Sequence, residues 1–116
     1  MSDVTIYHNP RCSKSRNTLE LIRGKGTEPT VVEYLKNPPS AGQIKGWLKA
    51  LGMAPRDLMR KKEDEYGDLG LADTSLSDDA LIQAMVENPR LIERPVVTNG
   101  DKVALGRPPE NVLEIL

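Results

Sequence analysis

Val4-Thr5-Ile6-Tyr7-His8-Asn9-Pro10-Arg11-Cys12-Ser13-Lys14-Ser15-Arg16-Asn17 joins a strand-like run to a helical one, and the only cysteine of the chain sits at the junction. Residues 3–8 are mostly apolar and read as a short strand inside a sheet. The helix expected from about Ser13 to Gly24 buries Leu19 and Ile22, with Leu21 beside them, and ends in the Gly24-Lys25-Gly26 turn. Thr30-Val31-Val32-Glu33-Tyr34-Leu35 is rich in β-branched and aromatic residues and reads as a second strand. Strand, helix and strand together have the size of a βαβ unit.

Beyond this unit the character changes. Asn37-Pro38-Pro39-Ser40 breaks the chain, and Ser40 with Gln43 forms a capping-box pattern for a helix ending near Gly52. A short segment Pro55 to Met59 and a polar stretch Arg60 to Asp68 follow. A helix then runs from an N-cap at Ser77 to about Glu87, with Asp78 and Asp79 in its first turn and a stripe of Leu81, Ile82, Met85 and Val86. From Arg94 the pattern returns to sheet. Pro95 to Thr98, Asn99-Gly100 and Lys102 to Leu105 predict a hairpin with a type I′ signal. Pro108-Pro109 opens a final short helix through Val112, Leu113, Ile115 and Leu116. The order β-α-β, helical insert, β-β-α predicts an α/β fold: a thioredoxin-like mixed sheet with a helical insert. Residues 1–116 are read as one domain, with a core of 1–36 and 90–116 and an insert of 37–89.

Composition narrows the function classes. The net charge of -1 gives no general electrostatic reason to bind nucleic acid or a membrane surface. No apolar stretch approaches the length of a membrane span, and the N-terminus lacks a signal-peptide pattern. One cysteine cannot form an internal disulfide, so the reducing cytoplasm is the expected compartment.

The chemistry therefore centres on Cys12. A thiol at a helix N-terminus faces unpaired backbone N–H groups and the positive end of the helix dipole. Arg11, Lys14 and Arg16 add positive charge. An ordinary cysteine, with a pKa of about 8.5, is only a few per cent ionised at neutral pH; a pKa of about 6.5 makes it mostly thiolate, the nucleophilic form. Burial as a small apolar residue is the alternative role of a lone cysteine. The charged and hydroxylic neighbours here favour the reactive one.

Ser15 stands where a C-x-x-C motif has its second sulfur. It can hydrogen-bond the Cys12 thiolate or cap the helix, but it cannot resolve a disulfide, so an oxidised Cys12 needs an external thiol. His8, the only histidine, can lower the Cys12 pKa as an imidazolium, move protons as a neutral ring, or simply satisfy a local hydrogen bond. One Cys and one His offer no metal-ligand spacing, so no metal is expected. Three arginines stand out: Arg60 after Leu58-Met59, Arg94 before Pro95 and Arg107 before Pro108. Each carries a rigid fork of donors suited to tetrahedral oxyanions, and each can equally be a solvated surface charge. Arg94 and Arg107 bracket the hairpin, which can bring them to one sheet edge.

The ordered set His8-Asn9-Pro10-x-Cys12-x-x-Ser15-Arg16-Asn17, Glu28-Pro29, Asn37-Pro38-Pro39, Arg60, Leu69-Gly70-Leu71, Arg94-Pro95 and Arg107-Pro108 resembles the glutaredoxin-coupled arsenate reductases over nearly the whole chain. The resemblance implies a thioredoxin-like fold and a Cys12 that attacks arsenate. It implies that Arg60, Arg94 and Arg107 cradle the oxyanion while His8 and Ser15 support the thiolate. It also implies that glutathione is the reducing cosubstrate, that glutaredoxin supplies electrons, and that no cofactor is tightly bound. By analogy with thioredoxin-fold proteins, the Arg94-Pro95 peptide is expected to be cis. Two departures stand out: Gly106 occupies a position where some resembling proteins carry a second cysteine, and the chain ends at Leu116, earlier than longer members. The competing readings are a glutathione-dependent thiol or disulfide reductase, which has no special use for Arg60, and a regulator resembling the Spx transcription factors. Those typically carry a redox-switching C-x-x-C, and Ser15 removes that switch.

Overall fold

A computed structural model describes residues 3–116. Strand β1 (Val4–His8) alternates buried and partly buried side chains. It lies inside a four-stranded sheet of order β2-β1-β3-β4, formed with β2 (Thr30–Glu33), β3 (Val96–Asn99) and β4 (Lys102–Leu105). β1 is parallel to β2 and antiparallel to β3, and β3 is antiparallel to β4. The register sets Ile6 opposite Val97 and Val97 opposite Ala104. This row crosses three strands on one face. With Val4, Ile22, Val112 and Ile115 it forms a core cluster, against which Leu19 and Leu21 pack. Period-two alternation puts His8 on the same face as Val4 and Ile6, at the end of the strand.

Helix α1 (Ser13–Gly24) connects β1 to β2 and buries Ser15, Thr18 and Ile22. The second strand is shorter than its sequence predicts. Its last residue, Glu33, pairs with His8, the last residue of β1, so the two strands stop together. The chain then turns, with the N–H groups of Lys36 and Asn37 both donating to the Glu33 carbonyl at 3.0 Å. That turn takes Tyr34 out of the strand and leaves it 2% exposed.

The hairpin forms, but its turn differs from the predicted one. Asn99 pairs with Lys102, so the loop is Gly100-Asp101. A type I′ turn needs positive φ at both central residues, and here only Gly100 has it (φ 60°), the pattern of a type II′ turn. The C-terminal segment Pro109–Ile115 is a 3₁₀ helix rather than an α-helix. Its three-residue period aligns Val112 with Ile115, and both are buried while Leu113 and Leu116 are exposed.

The chain forms two compact units: one runs to Asn37 and resumes at Arg94–Leu116, and the other is Pro38–Glu93. The second contains α2 (Ala41–Leu51), a 3₁₀ turn at Pro55–Leu58, α3 (Asp64–Asp68), α4 (Asp78–Glu87) and a 3₁₀ turn at Pro89–Leu91. The Ser40 capping box closes in both directions: Gln43 N–H donates to Ser40 Oγ (3.1 Å) and Ser40 N–H to Gln43 Oε1 (2.9 Å). Helix α2 ends at Gly52 in the left-handed region, φ 66°. Ser77 caps α4 by accepting from Ala80 N–H at 3.1 Å. Helix α4 buries Leu81, Ile82 and Met85 as expected, together with Ala84 in place of the half-buried Val86. Helix α3, which buries nothing, interrupts the polar stretch. No helix of the described residues is long and apolar enough to cross a membrane.

Candidate active site

The strand-to-helix junction is built by Asn9. Its side-chain Oδ1 accepts the Arg11 N–H and its carbonyl accepts the Cys12 N–H, both at 3.0 Å. This tight turn delivers Cys12 to the N-cap of α1 in an extended conformation (φ -95°, ψ 122°). The Cys12 carbonyl accepts the Arg16 N–H at 3.0 Å, opening the helix, and the Arg16 guanidinium ties back to the Pro10 carbonyl at 2.9 Å.

Cys12 is half-buried and unbonded to any other sulfur. Burial alone pushes its pKa up. A hydrogen bond from Arg94, the backbone N–H of Ser15, the Arg94 charge and the backbone N–H of Lys14 outweigh burial and hold it below the ordinary thiol value. The Cys12 side chain makes no full capping hydrogen bond, so the two amides act as oriented dipoles at the helix start. The strongest favourable partner is long-range: Arg94, from the segment entering β3.

Ser15 is fully buried, and its hydroxyl is committed elsewhere. Its Oγ lies 2.7 Å from His8 Nδ1 and accepts the Asn9 N–H at 3.0 Å. The expected hydroxyl-to-thiolate bond is therefore replaced by the Ser15 backbone N–H, and Cys12 rather than Ser15 occupies the N-cap. His8 is itself buried. Burial lowers its pKa, Glu33 opposes that, and Arg23 and Arg16 reinforce it. A neutral His8 with its proton on Nε2 completes the chain Asn9 N–H to Ser15 O–H to His8 Nδ1. His8 anchors the turn through the Ser15 hydroxyl.

Arg94 and Arg107 do meet. Arg107 Nη1 donates to the Arg94 carbonyl at 3.4 Å, and Gly106 N–H donates to the Pro95 carbonyl at 2.9 Å. The Arg94-Pro95 peptide is cis, as is Arg107-Pro108. Buried Thr18 locks α1 to this segment: its hydroxyl contacts the carbonyls of Lys14 (2.7 Å) and Gly106 (3.5 Å). Arg94 Nε is buried with no hydrogen-bond partner among the described residues, a donor left over beside the thiol.

Arg60 belongs to the second unit. There its guanidinium pairs with Glu63, whose other oxygen accepts from Arg90 at 3.0 Å. Its main-chain N–H donates to the Leu91 carbonyl at 2.6 Å. Among the described residues no cluster of three or more His, Cys, Asp or Glu is placed to hold a metal ion. A hollow of about 700 Å³, lined in part by Asp3, Glu28, Asn99 and Leu116, shares no lining residue with the thiol's surroundings.

Sequence reasoning missed the roles of Asn9 and Thr18. An Asn-Pro dipeptide beside a strand is a turn signal and points to Asn9. Nothing local points to the contact of Thr18 with the Gly106 carbonyl, far away in sequence.

The fold and this site define a class: a thioredoxin-like α/β protein built around one activated cysteine. The ArsC family profile matches residues 7–115, and the chain belongs to the ArsC family. It is 60% identical over 114 residues to the uncharacterized protein YfgD of Escherichia coli K12, covering 97% of this chain and 96% of that protein. It is 49% identical over 116 residues to an arsenate reductase of Escherichia coli, covering all of this chain and 82% of that protein. Among solved structures, an arsenate reductase from Vibrio cholerae superposes with a TM-score of 0.94 at 52% identity, covering 97% of each chain.

Proposed function

We propose that the protein reduces arsenate to arsenite through a single nucleophilic cysteine, Cys12, with glutathione and glutaredoxin supplying the electrons. The observation that carries this reading is the Arg94 guanidinium. It hydrogen-bonds the thiol and keeps a buried Nε donor without a partner in the same place. Such a donor suits an oxyanion oxygen held beside the sulfur, where it would offset the repulsion between an anionic substrate and a thiolate. Arg107 adds a second guanidinium to the same segment. The family and the names of the relatives support arsenate as the oxyanion.

In this scheme Cys12 sulfur bonds to arsenic(V) and one oxygen leaves as water. Glutathione adds through its own sulfur, and a second water leaves. The glutaredoxin thiolate attacks the glutathione sulfur. The sulfur–arsenic bond breaks with its electron pair left on arsenic, giving arsenic(III) and a glutaredoxin–glutathione disulfide. Hydrolysis then frees arsenite and the Cys12 thiol. Two thiols supply the two electrons, and no second cysteine of this chain is needed. His8 and Ser15 support the thiolate by fixing the turn that carries it. Arg60 enters only through the resemblance.

The test is NADPH consumption by the purified protein with arsenate, glutathione, glutathione reductase and glutaredoxin, run beside Cys12→Ser. Turnover needing arsenate, glutaredoxin and Cys12 together is the expected result. Disulfide reduction without arsenate-dependent turnover would assign the same thiol to a glutathione-dependent disulfide reductase. Arg60→Lys tests the third arginine, since lysine is a point charge without the fork. Arsenate turnover is expected to fall far more than disulfide reduction, and equal losses would remove Arg60 from the oxyanion cradle.

A further inference from the structure

Helix α1 turns one face inward, and two of the three residues it buries carry hydroxyls: Ser15 and Thr18, with Ile22 a turn further on. The Ser15 hydroxyl serves His8 and Asn9. Thr18 is 0% exposed, in a place that valine would fill with the same shape and no polar atom. Its hydroxyl has one proton and two carbonyls within reach, that of Lys14 at 2.7 Å and that of Gly106 at 3.5 Å. The shorter contact takes the proton. Gly106 keeps the other side open, since a Cβ there would collide with Thr18 Oγ1. With no side chain at that point, the hydroxyl has room to lie over the first turn of the helix.

The Lys14 carbonyl is one end of a peptide whose other end is the Ser15 N–H, and in a trans peptide the two point in opposite directions. The carbonyl faces along α1 toward Thr18. The N–H therefore faces back to the helix start, where Cys12 is the N-cap. Ser15 is the third residue after that cap, and its amide is among those with no partner inside the helix. A hydroxyl donating to the carbonyl, beyond the helix's own bond, restrains the peptide plane and polarises it, which strengthens the N–H at the far end.

We propose that Thr18 is a positioning residue for the thiol: by donating to the Lys14 carbonyl, its buried hydroxyl fixes and polarises the peptide that presents the Ser15 N–H to Cys12. Thr18 touches neither the sulfur nor a substrate and acts only through that one peptide. The inference rests on Cys12 as the reacting thiol, the part of the proposed function that does not involve arsenate.

The experiment uses the full chain without arsenate. The rate of Cys12 alkylation by iodoacetamide is followed across pH in the wild type, Thr18→Val, Thr18→Ala and Thr18→Ser, with urea midpoints measured on the same samples. The midpoint of each profile reports the thiol pKa, and its plateau reports access. Valine keeps the shape and loses the hydroxyl, and alanine loses it with no bulk against the two carbonyls. Serine keeps the hydroxyl and loses the methyl. The charged neighbours of Cys12 are the same in all four proteins: Arg11, Lys14 and Arg16 in sequence, and Arg94 from the segment entering β3. Thr18→Val and Thr18→Ala are expected to raise the midpoint and slow alkylation below it by about two- to threefold, the change that about 0.3–0.5 pKa unit produces. Thr18→Ser is expected to keep the wild-type midpoint even though it loses stability with the methyl. A hydroxyl that only satisfies the core would lower the urea midpoints and leave the four alkylation profiles with one midpoint. That result, or a serine midpoint shifted as far as those of valine and alanine, would overturn the proposal. Because alkylation needs no arsenate, failure of the arsenate reading leaves this result intact.

Discussion

Cys12 is made reactive by groups of two origins, and they differ in how far the sequence reveals them. The amides of Lys14 and Ser15 follow from its place at a helix start, which the junction of apolar strand and helix announces. Arg94 comes from the other end of the chain, and only its position before a hairpin hinted at convergence. Side-chain direction was not legible at all. Ser15 looked like a hydroxyl for the thiolate, yet its Oγ serves His8 and Asn9. His8 carries a pH prediction. Burial lowers its pKa in the fold, against an ordinary value of 6.5 in the unfolded chain. Below that value the unfolded state takes up a proton that the folded state refuses. The stability tied to His8 is therefore full above 6.5 and is lost as pH falls below it toward the folded midpoint. His8→Asn offers no titrating ring. Urea midpoints measured from neutral pH down to mildly acidic pH are expected to fall more steeply in the wild type than in this variant. Parallel slopes would show that His8 titrates alike in both states.

At the scale of elements, the legible features were those with local chemistry. The Ser40–Gln43 box and the Ser77 cap reach partners three residues away, and both helices begin where these signals put them. What failed lacked a local cause. The end of β2 is set by where β1 stops, the turn type by the φ of Asp101, and the 3₁₀ form of the C-terminal segment by its packing period. Helix α3 has no apolar stripe to reveal it. Gly106 shows how closely elements meet beside the site. A Cβ there would lie 2.5 Å from Thr18 Oγ1, 2.8 Å from Pro95 Cγ and 2.9 Å from Thr18 Cγ2. Gly106→Ala must push α1 and the Arg94-Pro95 segment apart, at a cost of about 1–3 kcal/mol. Thr18→Ala clears two of those three atoms. The double variant is thus expected to lose less stability in urea than the sum of the single variants. Strict additivity would show that position 106 makes no such contact.

For the whole molecule, the number and sequence of strands could be read, but not their order across the sheet. That β3 rather than β4 lies against β1 depends on pairing Ile6 with Val97, a register no local pattern encodes. The cysteine count, by contrast, is a property of the entire chain and has a direct redox consequence. With one thiol in 116 residues, no disulfide can be handed on internally. Ser15, at the place of a resolving sulfur, is buried with its hydroxyl engaged. Oxidised glutathione should therefore react with the Cys12 thiolate to give one protein–glutathione disulfide and release one glutathione. Mass spectrometry is expected to find a single glutathione adduct on the wild type and none on Cys12→Ser. After gel filtration into thiol-free buffer the adduct should persist, because every path off Cys12 needs an incoming thiolate. Added glutathione with glutaredoxin should remove it. The rate of adduct formation should rise with pH only up to the lowered Cys12 midpoint and then level off as the thiolate fraction saturates. Loss of the adduct without any external thiol would mean that another nucleophile of this chain reaches the disulfide, and the single-cysteine scheme would fail with it.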